Sequence, residues 1–444
     1  MQKQNGKGAA VSYAWIILAV LYVGGIASYG MRATFGAYIS PWELDFSVGR
    51  SVVTAISMLS FVVVGLAQPL LGKLNDYYGK SLVPSASILL FGICLLLMAR
   101  ATHIWQIFLL YGVGFSIGVT GSSNIISMAI IANWFEGKRG FALGLATSGM
   151  AVGQLILTPL NLSMIKWLGW RGTMTAMALI IMAVVGPLYF FLLRSRPEEK
   201  GMKPYGHIET EADGTLDGGG SEDKKSSLPV LGALKQRAFW LLAVPYFMCG
   251  FTDVGLIQTH IIPMSDGKGF SSVVAIAISI IAAMNIAGAI ATGHLSDHFN
   301  RKRQLGVIYL TRAATFVFLM MIQRPWLLLV FAVVYGAMEM ASIAPTNSLT
   351  IQLFDRYSIG AVLGLVSISH QLGGAVGSWV PGVLYDLTGS YTAVLLLSIA
   401  LLVGSALLAL RIPEPERGAG GEERGERREE RGERRVRGRG SGEC

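Results

Sequence analysis

The chain alternates long apolar runs with short polar punctuation. Twelve nearly uncharged stretches occur, at 12–39, 51–71, 82–99, 104–132, 140–165, 172–193, 238–262, 271–292, 305–322, 326–351, 359–385 and 391–410. Each is close to the ~20 residues an α-helix needs to cross the hydrocarbon of a bilayer. Several carry Pro or Gly in mid-span (Pro159, Gly186-Pro187, Pro245, Pro345, Pro381), which membrane helices tolerate where neighbours re-satisfy the backbone. The first run is too long for a signal-peptide core and lacks a convincing cleavage site, so it is expected to stay as a helix. The pattern predicts an all-α integral membrane protein with twelve transmembrane helices.

Composition agrees. Of 444 residues 52% are hydrophobic and 14% charged, with mean hydropathy +0.54; a soluble domain carries roughly 25% charged residues. Twenty-eight of the 36 Lys and Arg fall on the side that holds both chain ends, six fall on the opposite side, and Arg32 and Arg312 lie inside runs. By the positive-inside rule both termini are expected in the cytoplasm of a multi-pass cell-membrane protein. The net charge of +9 thus reads as topology and gives no support for nucleic-acid binding. Cys94, Cys249 and Cys444 are too scattered for a disulfide or metal pattern.

The two halves repeat. GKLNDYYGK (72–80) and GHLSDHFNRKR (293–303) each join two apolar runs, and Gly72 and Asp76 recur 221 positions later as Gly293 and Asp297. Gly140 and Gly144 recur as Gly360 and Gly364, and Gly149 and Gly153 as Gly373 and Gly377, at shifts of 220 and 224. A near-constant shift implies duplication: two pseudo-symmetric six-helix bundles in parallel orientation. The expected divisions are a cytoplasmic N-terminus (1–11), a first bundle (12–193), a polar linker (194–237), a second bundle (238–411) and a disordered charged tail (412–444). The Gly-x-x-x-Gly pairs are expected to let helices approach closely. In the two loops Gly72 and Gly79 ease a tight turn. Asp76 is expected close to the N-terminal end of the next helix, where its charge opposes the positive helix end, and Lys80 or Arg301–Arg303 can pair with an acid or helix C-terminus of the other half, as a latch made in one state and broken in another. A plain topology signal with a helix cap is the competing reading.

GKLNDYYGK resembles the loop between helices 2 and 3 of the major facilitator superfamily, and GHLSDHFNRKR resembles its degenerate second copy, with Asn300 at the second glycine. SYGMRATFGAYI (28–39), NWFEGKRGFALGLATSGMAVGQ (133–154), RSRPEEKGMKP (194–204), QTHIIPMSDGKGFS (258–271) and HQLGGAVGSWVPGVLYDLTGSY (370–391) are similar to the monocarboxylate transporter family and its bacterial relatives. The resemblance implies a secondary transporter working by alternating access. It implies a small organic anion such as a monocarboxylate as substrate, moved with protons or by anion exchange, with lipid as the other partner and no cofactor. The family typically has an anion-binding arginine on helix 8; here that helix has Asn285 as its main polar side chain.

Ionisable groups at membrane depth are costly and usually mark a pathway or a buried pair. Arg32 in helix 1 and Asp253 in helix 7 lie at comparable depth, so Arg32 is a candidate anion site with Asp253 as its counter-charge or proton switch. A permanent ion pair without substrate contact is the alternative. Arg312 in helix 9 and Glu339 in helix 10 are expected to pair inside the second bundle, and Glu339 is a second proton candidate. His260 and His370 are candidate coupling or gating groups, although a lone membrane histidine is more often structural. Tyr29, Asn124 and Asn347 complete the candidate substrate contacts.

Other signals fade. His294 and His298 have a metal-like i,i+4 spacing, but the first loop copy has Lys73 and Tyr77 there, so no metal is expected. GVGFSIG (112–118) lies within an apolar run with no preceding strand, and reads as packing glycines. With no Walker lysine or hydrolase elbow the chain is not expected to be an enzyme. An exporter or facilitator of a neutral or cationic compound, and a non-transporting receptor or scaffold, remain alternatives.

Overall fold

The computed structural model describes residues 5–78, 81–122, 124–206 and 230–413, and at 5–12, Asp76, Tyr78, Asn124, Ile125 and Asp297 the backbone alone. Gly79, Lys80, most of the linker and nearly all of the tail lie outside the described residues.

Ten described runs are long and apolar enough to cross a membrane, and Leu82–Met98 is a shorter one. One of the ten, Arg139–Leu192, turns back at Gly169, whose φ of 68° and ψ of 172° suit glycine alone among ordinary residues. It therefore makes two crossings, and the twelve crossings match the sequence pattern. They are α1 (Asn5–Ala33, resumed after Thr34 as Phe35–Phe46), α2 (Arg50–Tyr78), α3 (Leu82–Met98), α4 (Ile104–Trp134), α5 (139–168) and α6 (170–192). The second half holds α7 (Arg237–Gly267), α8 (Val274–His298), α9 (Arg301–Met321), α10 (Pro325–Glu339 and Ile343–Leu353), α11 (Ile359–Thr388) and α12 (Thr392–Leu410).

Each half buries its own core. One cluster runs from Ala14 to Leu193 and the other from Ala233 to Ile412, with Ala37 the single first-half member of the second. The duplication also shows as one packing contact made twice. Gly153 of α5 lies against α1, where a Cβ would sit 2.5 Å from the Ile26 carbonyl oxygen. Gly377 of α11 lies against α7, where a Cβ would sit 2.2 Å from the Phe251 carbonyl oxygen. The other glycine pairs behave differently from expectation. At Gly140, Gly144, Gly360 and Gly364 a Cβ would meet nothing within 4 Å, so they are not packing surfaces in this conformation.

The face bearing the Lys/Arg-rich connections is termed inner. At the outer face the halves meet: a Cβ on Gly36 would lie 2.5 Å from the Thr259 carbonyl oxygen. Lower down, α2 runs along α11 and α5 along α8, where Ser279 Oγ donates to the Leu155 carbonyl at 3.5 Å. Toward the inner face the same helices part. A Cβ on Gly72 or Gly293 would have no neighbour within 4 Å, and Leu70, Phe141 and Ile290 are 68%, 62% and 70% exposed. The bundles thus enclose a crevice that is shut outward and open inward.

The described ends of the linker are packed rather than free. Trp134 Nε1 donates to the Arg194 carbonyl at 2.8 Å, and Tyr205 N to the Trp134 carbonyl at 2.8 Å, tying 194–206 under the first bundle. Ala233 is fully buried in the second.

Substitution by valine at Gly377, where backbone cannot yield, is expected to cost ~1–3 kcal/mol or more by overpacking. Gly364→Ala is expected to be neutral or mildly stabilising, since it adds helix propensity in open space. Thermal unfolding of the two variants in detergent separates these outcomes.

Candidate functional site

At the apex of the crevice a narrow cleft is lined by Arg32 and Phe35 of α1, Ser57, Ser60 and Phe61 of α2, Tyr111 of α4, and Val254, Gln258 and Thr259 of α7. It is built from both halves. The Arg32 guanidinium lies over the Phe61 ring, 4.4 Å from its centroid. Gln258 Nε2 donates across the crevice to Tyr29 Oη at 3.2 Å. Among the described residues no carboxylate forms an ion pair with Arg32.

The second half compensates its charges internally. Asp253 forms a salt bridge with Arg312 and accepts from Tyr335 Oη at 3.0 Å and from Cys249 Sγ at 3.2 Å. Arg312 also donates to Cys249 Sγ at 3.2 Å and Thr252 Oγ1 at 3.0 Å. Both charged groups are buried. Asp253 sits in a widened helical stretch of α7, Phe251–Ile257, the kind of local bulge that re-aims side chains at functional positions. Glu339 accepts from Asn285 Nδ2 at 2.8 Å, at the point where α10 breaks before resuming at Ile343.

This arrangement corrects two expected pairings. Arg312 meets Asp253 rather than Glu339, and Asp253 is therefore not the direct counter-charge of Arg32. The repeat explains the asymmetry. Arg32 and Asp253 are 221 positions apart, the shift of the loop motif, and so occupy equivalent places with opposite charge. Beside them, Ser28 pairs with Ser122 at 2.7 Å in one half and Cys249 with Ser342 at 3.2 Å in the other. The position equivalent to Arg312 in the first half is Phe91, buried and uncharged. Arg32 is left without the partner that its counterpart has.

Above the cleft the halves are joined by a polar cluster. Arg50 binds Glu43 through two bonds of 2.6 and 2.9 Å, donates to Tyr391 Oη at 3.0 Å, and stacks on Tyr385 at 3.9 Å. Asp386 of α11 accepts from the backbone N–H of Arg50 at 3.0 Å and of Ser51 at 2.8 Å. Helix N-termini leave N–H groups unpaired, and Gly49, just before α2, has no side chain to cap them. The second bundle therefore caps a helix of the first. His260 extends the cluster, with Nε2 2.8 Å from the Ser378 carbonyl and Nδ1 3.0 Å from Tyr391 Oη.

A sequence profile described as Major Facilitator Superfamily matches residues 21–325 and 286–440. The chain belongs to the Major Facilitator Superfamily. A superfamily protein of Bacillus subtilis (strain 168), "Uncharacterized MFS-type transporter YcxA", is 23% identical over 406 residues, covering 89% of this chain and 94% of that one. "Monocarboxylate transporter 12" of Rattus norvegicus is 24% identical, covering 89% and 85%. A solved bacterial homolog to the human lysosomal transporter Spinster, inward-facing and occupied, superposes with a TM-score of 0.68 at 15% identity, covering 89% of this chain and 96% of that one; it supports the fold alone.

In this superfamily member the remaining candidates fall in several places. Tyr29 lies at the crevice beside Arg32, whereas Asn285 and Glu339 form their own buried pair. His370 packs against Tyr246, with centroids 4.7 Å apart and the rings tilted by 40°, and His260 belongs to the outer cluster rather than to the cleft. Asn347 is partly buried and makes no hydrogen bond among the described residues; the Asn124 side chain lies outside them. Arg301 reaches Gln352 at 2.9 Å and the Ser296 carbonyl at 3.3 Å, both within its own half. Cys249, Asp253 and His370 bring three donor atoms within 4.8 Å, but Arg312 already neutralises the carboxylate and would repel a cation there. Sequence reading missed Arg50, Asp386 and Tyr391. Their only signal was an arginine at a helix start and an acid near a helix end, 336 positions apart.

Loss of the cap by Asp386→Ala is expected to weaken outer closure by ~1 kcal/mol, the usual worth of a cap. A cysteine placed at Ser57 should then be labelled by an impermeant maleimide from outside about fivefold faster than in the parent.

Proposed function

We propose that the protein is a secondary transporter of a small organic anion, working by alternating access in the cell membrane with both termini cytoplasmic. The single observation that supports this reading most is Arg32: a cation partly open to a crevice between two bundles, at membrane depth, with no acid among the described residues paired to it. An unpaired charge there is costly, and an anionic substrate supplies the missing partner through charge-assisted hydrogen bonds. Tyr29, Tyr111 and Gln258 are placed to orient it. The relatives named as monocarboxylate transporters point to a carboxylate.

Coupling follows from the same charge accounting. Among the described residues Glu339 is the other intramembrane charge without an ion-pair partner, and it lies in the electrostatic neighbourhood of both Arg312 and Tyr29. A substrate anion seated on Arg32 and a proton carried on Glu339 offset each other's charge within the membrane. Anion and proton then cross together. Asp253 and Arg312 hold the second bundle's helices in register around this event, since removing one partner of a buried pair costs ~3–5 kcal/mol. The outward-open state requires the Arg50–Asp386 cluster to part and the inner helix ends, with their bare glycines, to close. A second reading, export or facilitated passage of a neutral or cationic compound, is favoured by Asn285 standing on α8 where the resembled family has its arginine.

The deciding experiment is uptake of a labelled carboxylate panel by proteoliposomes, with and without an inward proton gradient. Uptake is expected to rise with the gradient. Arg32→Gln should lower it at least tenfold while the protein still inserts and folds, as loss of a hydrogen-bonded charge of ~1.5–3 kcal/mol requires. Glu339→Gln should keep anion exchange and lose the gradient's effect. Uptake that ignores substrate charge and survives Arg32→Gln would support the second reading instead.

A further inference from the structure

Away from the crevice, on the side of the second bundle that faces the bilayer, α8, α9 and the first segment of α10 enclose a groove of ≈550 Å³. Its walls are apolar, with Ala287, Ala291 and Leu295 on one side and Val307 and Met338 on the other. Val307 is 62% exposed, so the groove is open along its length rather than sealed by protein. It runs from Phe299 to Met284 along α8, which at 1.5 Å per residue is ~22 Å. That exceeds the ~15 Å depth of one leaflet's hydrocarbon, so a single acyl chain fits end to end.

The inner mouth is polar and basic. Asn300, Arg303 and Gln304 line it. Asn300 is engaged, since its Oδ1 accepts from Arg303 N at 3.1 Å and so caps α9. The Arg303 guanidinium itself is exposed and carries no ion pair or hydrogen bond among the described residues. Gln304 donates through Nε2 to the Thr292 carbonyl at 2.9 Å, while its buried Oε1 has no donor among the described residues. A free cation thus stands at the head of an apolar trough. The repeat does not demand this: the position equivalent to Arg303 in the first half is Leu82.

We infer that this groove is a binding site for an anionic phospholipid. One acyl chain lies in the trough and the phosphate sits against Arg303 and the first turn of α9. Basic mouths between transmembrane helices on the positive side of a membrane protein suit such headgroups, each Lys or Arg near the surface contributing about a fivefold preference. The groove's far end touches Met284 and Met338, the chain neighbours of Asn285 and Glu339. A lipid seated there braces the helices that carry this pair.

The test uses the full-length protein, delipidated in detergent and exchanged against phosphatidylglycerol or phosphatidylethanolamine, with retained lipid counted by native mass spectrometry. The parent is expected to retain one phosphatidylglycerol about fivefold better than phosphatidylethanolamine and to unfold at a higher temperature with it. Arg303→Gln should remove the preference and leave phosphatidylethanolamine retention unchanged. Ala291→Trp, which fills the trough, should reduce retention of both. Arg324→Gln, at the outer end of α10, is the control and should change neither. Equal retention of the two lipids by the parent, or an undiminished preference in Arg303→Gln, overturns the proposal.

Discussion

A charge inside a bilayer must be compensated, and the second half of the molecule is organised by that demand. Arg312 would be prohibitively costly alone. It is accommodated because Asp253, Thr252 and Cys249 surround it and Tyr335 holds the carboxylate from the other side. Those contacts tie α7, α9 and α10 into one block. The first half has no such knot among its described residues, and Arg32 leans on an aromatic ring instead. Ring contact alone does not neutralise a cation. The contrast between an arginine paired with a carboxylate and one with no such partner among the described residues, at depths set by duplication, separates the two halves.

A second constraint is the helix start. The N–H groups at the head of α2 need acceptors, and the nearest residue on their own chain is a glycine. The acceptor comes from the opposite bundle, so the same bonds that complete a helix also join the two halves at the outer face. Opening returns those groups to water at the outer surface, where water can satisfy them. Under the proposed alternating access, the cap bonds, the Arg50–Tyr391 hydrogen bond and the Arg50–Tyr385 ring contact would all have to part here.

The glycines tell the complementary story. Gly153 and Gly377 are locked against backbone and hold each bundle together, while Gly140, Gly144, Gly360 and Gly364 face open space at the inner ends. Equivalent motifs in sequence thus divide into two physical classes, one for permanent contact inside a half and one left bare where the halves part.

Much of the fold was legible in the chain itself. Crossing length, hydropathy and the shift of 220 to 224 residues specify twelve helices in two related bundles, because lipid leaves the backbone few ways to satisfy its hydrogen bonds. Arg32, Asp253, Arg312 and Glu339 were legible as exceptional for the same reason. Which of them pair was not. Pairing depends on helix rotation and on the bulge that re-aims Asp253, and neither has a sequence period. The gate was hidden more deeply, since Arg50 and Asp386 are ordinary at their positions and meaningful only when α2 and α11 lie side by side. Sequence determines how many times the chain crosses and which side chains are out of place in lipid, because those are local costs. Only tertiary structure decides which charges find each other, because that is set by contacts between helices far apart in the chain.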